Sequence, residues 1–178
     1  MWRSIRLAAV LATTLIVAPL LAGCGGSTRE EDTVNDDRAV LLGRPSIEQI
    51  TERYEEMQER ITTRLSEELG PWEWVNDQNM TRSGCAEFPH VGGESRSLDR
   101  RHFLGSLPDA QWPQAVAIVT EISGEYDFGE PEVIVDRVGD HEIVGHDPFG
   151  ARYTFGTAAN TLLSVSTGCH LPQGAGAG

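Results

Sequence analysis

The sequence predicts an α+β fold: a two-layer domain with an antiparallel sheet of about four to five strands and two helices packed on one face. Three observations predict it. An apolar stripe at helical spacing runs from Ile47 to Leu69, and a shorter one lies between Trp112 and Ile122. After Glu132 the chain alternates between apolar and polar residues, with glycine-rich breaks and short connections.

The chain opens on Met1-Trp2-Arg3-Ser4-Ile5-Arg6, with two positive charges and no acid. Leu7 to Leu21 is apolar apart from Thr13, Thr14 and Pro19. This is the layout of a secretory signal. A transmembrane helix needs roughly 20 apolar residues, and Pro19 breaks this run near its end. Leu21-Ala22-Gly23-Cys24 resembles the lipobox of bacterial lipoproteins, where the cysteine receives lipid and becomes the mature amino terminus. The expectation is removal of residues 1–23, with Cys24 lipidated on the extracytoplasmic face of the cell membrane. Residues 24–44, largely small, polar and acidic, read as a flexible tether. Within it Val40-Leu41-Leu42 is apolar enough to pack on the domain.

The ectodomain is expected over 45–172. Pro45 and Ser46 start a helix, with Gln49 completing a capping box. Ile47, Ile50, Tyr54, Met57, Ile61, Leu65 and Leu69 form its buried stripe, and Gly70-Pro71 ends it. Trp72 to Asn76 alternates and reads as a strand. Residues 77–107 read as a long polar loop holding Cys85, and loops of that length often bind something. A second helix runs from near Ala110 to Ser123, with Asp109 as cap and Trp112, Val116, Val119 and Ile122 inward. Pro113 is tolerated in its first turn. Strands follow at 132–136, 141–144, 151–155 and 161–167. Residues 173–178 end in Gly-Ala repeats and read as a frayed tail.

The chain carries a net charge of −13, and loss of Arg3 and Arg6 with the signal takes it to −15. The 155 residues left after cleavage suffice for one domain with a core. Such acidity excludes nucleic acid and flat docking on anionic lipid, which attract basic surfaces. With Cys24 taken by lipid, Cys85 and Cys169 remain as an even pair in an oxidising compartment, so a disulfide is the default. The alternative is a redox-active or metal-binding pair, but no CxxC is present.

Candidate chemistry is sparse. His141-Glu142-Ile143-Val144-Gly145-His146-Asp147 resembles a zinc-protease motif superficially, but HExxH places its histidines at i and i+4 of a helix. Here they are five apart in a β-rich segment and face opposite sides. Cys169-His170 as nucleophile and base fails because adjacent strand residues point apart. No Gly-x-Ser-x-Gly elbow or phosphate loop occurs, and neither a cofactor nor a metal is expected. Trp72, Trp74 and Trp112 either line an apolar ligand cleft or fill the core. Arg96, Arg100 and Arg101 either grip an anion or balance neighbouring carboxylates.

The lipobox, the helix leading into Trp72-Glu73-Trp74, Gly84-Cys85, the helix near Trp112 and the closing Leu163-Ser164-Val165-Ser166-Thr167-Gly168-Cys169 together resemble the LppA-like lipoproteins of mycobacteria and related actinobacteria. The resemblance spans about Tyr54 to Leu171. It implies a surface-exposed lipoprotein with Cys85 joined to Cys169, and it supplies no catalytic residues. The function expected is therefore a non-enzymatic envelope lipoprotein, anchored to the membrane through its lipid and binding an envelope protein or lipid partner. The alternative is a carrier of a small ligand or lipid.

Overall fold

The computed structural model of the chain describes residues 27–175. Among them are three helices and eight strands: α1 (Ser27–Leu42), α2 (Ile47–Leu69), β1 (Val75–Gln78), β2 (Thr81–Gly84), β3 (Glu94–Ser97), β4 (Arg100–Leu104), α3 (Trp112–Gly124), β5 (Glu132–Arg137), β6 (Asp140–His146), β7 (Arg152–Thr157) and β8 (Asn160–Ser166). The sheet is antiparallel, in the order β1-β4-β8-β7-β6-β5, with the β2–β3 hairpin attached through β3 to the end of β8.

α2 forms for the reasons its sequence gives. Ser46 Oγ accepts the Gln49 backbone N–H at 3.3 Å, and Gln49 Oε1 accepts the Ser46 N–H at 2.9 Å. All seven stripe residues are buried. They meet Ala115, Ile118, Val119 and Ile122 of α3 and the inward rows of the sheet, Ile143, Tyr153, Phe155, Leu163 and Val165. Arg60–Glu125 (2.7 Å) and Arg64–Glu121 (3.0 Å) clasp the solvent side of α2 and α3. Exposed, solvent-screened pairs of this kind add little to stability.

The α+β class is as expected, but its details need correction. The sheet has eight strands, not four to five, and a third helix is present. The first strand starts at Val75, so Trp72 and Trp74 precede it rather than belong to it. The expected loop over 77–107 contains β2, β3 and β4. β1 and β2 are exposed along their whole length. With no face to bury they show no apolar alternation, the signal by which a strand is read from sequence.

The tether is also more ordered than its composition implies. Ser27–Leu42 is helical, and Val34, Arg38 and Leu41 share one face. Leu41 is buried, and the Arg38 guanidinium donates to the Ala175 carbonyl. The tail is held as far as that residue: the Gln173 N–H donates to Glu48 Oε2 at 2.8 Å. Asp109 does not cap α3, whose N-cap Gln111 makes no capping bond and instead donates its side-chain amide to the Leu69 carbonyl at 3.2 Å. Asp109 Oδ1 instead accepts the Gly139 N–H at 2.9 Å and faces His141 Nε2 at 3.2 Å, tying the loop before α3 to the β5–β6 turn.

Candidate functional site

The strongest local construction is around the cystine. Cys85 and Cys169 are joined, with Cα atoms 5.7 Å apart. Leu41, Val91, Cys169 and Leu171 form a second small core, with Val34, Cys85, Phe88 and Ala175 packed on it. The end of α1, the loop after β2 and the carboxy-terminal segment therefore meet at one point. Arg44 closes it, donating to the carbonyls of Phe149 (3.1 Å) and Cys169 (2.9 Å) while lying over the Phe88 ring. Cys24 lies outside the described residues, but the helix leading from it ends in this cluster.

Next to the cystine, His170 is fully buried. Its Nδ1 donates to the Pro45 carbonyl at 2.9 Å, and Nε2 is buried with no hydrogen-bond partner. This is the pattern of a neutral imidazole protonated at Nδ1. Burial pushes its pKa below the ordinary 6.5, with nearby Arg44 acting in the same direction. The unfolded chain then binds a proton that the folded one refuses, so stability is intact above that value and falls as pH drops below it. The expected slope is at most about 1.4 kcal/mol per pH unit. His170→Gln should flatten it below about pH 6.5, read by denaturant melts at successively lower pH.

The tryptophans occupy two stations. Trp72 stacks on Phe103 at 4.7 Å, and Trp74 meets the same ring edge-on at 4.9 Å. Trp74 Nε1–H donates to Ser66 Oγ at 3.1 Å, locking this pair to α2. Trp112 lies parallel to His141 (5.0 Å) and Phe155 (5.3 Å) and is buried. The structure thus brings Trp72 and Trp74 together around β4, and sets Trp112 over β6 and β7.

His141 and His146 separate as their spacing requires. His141 points to the helix side between Asp136 (2.9 Å) and Asp109 (3.2 Å), and His146 is exposed. No group of three His, Cys, Asp or Glu residues able to hold a metal occurs among the described residues. Gly145 between them is a packing residue, because a Cβ there would lie 2.2 Å from the Tyr153 ring. Asp147 is a structural hub. It accepts the Tyr54 hydroxyl on one oxygen, and the N–H groups of Phe149 (2.9 Å) and Ala151 (2.6 Å) on the other. Burial, then Asp147, push the Tyr54 phenol far above its ordinary pKa, so it stays a donor. Asp147→Ala orphans three donors and is expected to cost about 2–3 kcal/mol. Tyr54→Phe should cost only about 1 kcal/mol, and urea midpoints compare the two.

Of the three arginines in the former loop, Arg96 is buried between Glu94 (2.6 Å) and Glu48 (3.2 Å), and Arg100 forks onto Asp77 (2.8 and 2.7 Å). Arg101 faces Glu59 at 3.7 Å. They balance carboxylates.

A feature the sequence did not reveal lies on the sheet face away from α2 and α3. β4 pairs with β8 up to Leu163, and β3 takes over at Ser166. The hand-over leaves a notch of about 240 Å³ over Ser164, bordered by Ser97, Arg100, Arg152 and Thr154. Pairings between strands far apart in sequence create it, so no local pattern announces it.

Fold and cystine together define a disulfide-closed α+β domain, a type that matures in an oxidising compartment. The chain belongs to the LppA family, described as a lipoprotein confined to pathogenic Mycobacterium, whose family model matches residues 25–173. Among solved structures it is similar to the putative lipoprotein LppA from Mycobacterium tuberculosis, at 14% identity and TM-score 0.68, over 83% of this chain and 90% of that one. It is also similar to a DUF4853 family protein from Actinomyces odontolyticus ATCC 17982, at 16% identity and TM-score 0.55, over 74% and 71%. At these identities the likeness shows the fold alone. No curated protein matches the chain.

Proposed function

We propose that this chain is a non-enzymatic cell-envelope lipoprotein. Lipid on Cys24 holds it to the extracytoplasmic face of the cell membrane, and the ectodomain binds an envelope component or protein there. Family membership supports the lipoprotein part. No helix of the described residues is long and apolar enough to cross a membrane.

The observation that carries the reading is the asymmetry of the sheet. α2 and α3 fill one face, while Arg152, Thr154, Ser164 and Ser166 on the other stay at least partly open to solvent. The end of α1 packs at the cystine, beyond the end of β8, so α1 and the sheet with its open face are joined through the small core. Cross-linking in intact cells, with cross-linkers targeted to that open face, tests the binding role. A reproducible envelope partner is expected, and failure to recover one would count against it. The carrier reading has less support, since the rings of Trp72, Trp74 and Trp112 are stacked on Phe103, His141 and Phe155. Envelope lipid extracts are accordingly expected to leave tryptophan emission unchanged.

A further inference from the structure

The notch between β3, β4, β7 and β8 has a lining of arginines and hydroxyls. The protein is acidic, with 27 Asp and Glu against 14 Arg, yet no carboxylate lines the notch. Its walls carry the hydroxyls of Ser97, Thr154 and Ser164, the Gln78 amide, and the guanidinium groups of Arg100 and Arg152. Arg100 is already neutralised by Asp77. Arg152 is not. Among the arginines whose side chains are described, it alone has neither a carboxylate nor a carbonyl partner. The others are held by Glu48, Glu59, Asp77, Glu94, Glu121, Glu125, Asp127, Asp140 or main-chain oxygens. An exposed cation left unpaired on so acidic a chain, beside several hydroxyls, suits a ligand that brings its own negative charge.

We propose that this notch binds one anionic sugar unit. Its phosphate or carboxylate sits on Arg152 as a charge-assisted pair, and its hydroxyls exchange hydrogen bonds with Ser97, Thr154, Ser164 and Gln78. The notch is smaller than the roughly 300–1,000 Å³ of drug-sized sites, which fits one saccharide unit, free or within a longer envelope polymer. An acidic peptide would satisfy Arg152 but would leave most of the hydroxyl wall unmatched.

The inference rests on the envelope-binding reading but is tested apart from it. The full chain, held in nonionic-detergent micelles, is examined by saturation-transfer NMR with glucose 1-phosphate, glucuronate, glucose and inorganic phosphate as probes. Transfer to glucose 1-phosphate and glucuronate is expected to exceed that to glucose by roughly fivefold or more. Inorganic phosphate should compete with both. Arg152→Ala should remove that advantage at an unchanged melting temperature, since the side chain is exposed and unpaired. Arg152→Lys should restore part of it, and Thr154→Val should weaken both anionic sugars without affecting phosphate competition. Equal transfer to glucose, or an undiminished signal in Arg152→Ala, would overturn the proposal. Neither result bears on membrane anchoring or cross-linking, so failure of the two readings is distinguishable.

Discussion

Replacing Cys85 and Cys169 with serine is expected to lower stability by about 4–5 kcal/mol, the largest loss from any pair of substitutions here. The bond joins residues 84 apart in sequence, so it restricts the unfolded chain strongly. For a domain of this size that corresponds to a fall of roughly 10–15 °C in melting temperature. The native state also loses a support. Val91 and Phe88 reach the small core with Leu41 and Leu171 through the loop that Cys85 begins. Amide exchange should therefore accelerate first in residues 85–93 and in the last turns of α1. A thermal melt with and without reductant checks the magnitude, and exchange mapping checks the place. A variant melting within a few degrees of the parent would show that packing alone holds this end.

The second large effect is all-or-none. Cys24→Ala removes the sulfur that the lipid needs, so incorporation of a labelled fatty acid should fall to background. Each buried methylene is worth on the order of 0.8 kcal/mol, and two chains suffice for stable anchoring. Retention of residues 1–23 should accompany the loss, seen as slower gel migration. The ectodomain itself should melt normally, because the small core that receives α1 begins at Val34. Continued acylation of the variant would place the lipid elsewhere.

Much of the domain was legible because single elements announce themselves. The α2 stripe, its capping box and the four late strands each carry a local pattern that packing then uses, as Ile50, Tyr54, Phe155 and Leu163 illustrate. What escaped was non-local or lacked a buried face. β2 is a polar hairpin arm with no apolar rhythm. The tether reads as disordered because its charges dominate, although Leu41 alone among its last residues is buried. Asp109 looked like a helix cap, yet the backbone of Gly139 and the imidazole of His141 compete for it successfully. The cystine was readable from cysteine number and compartment. The Arg152 notch was not, because it exists only where β3 and β4 share one side of β8.

One chain is expected to carry both a lipid at Cys24 and a closed Cys85–Cys169 bond. Intact mass spectrometry of the protein extracted from membranes reads both at once. The expected mass begins at Cys24, exceeds the polypeptide by a diacylglyceryl group and any added acyl chain, and shows no thiol to alkylate before reduction. A mass beginning at Met1 without lipid, or free thiols at Cys85 and Cys169, would contradict it.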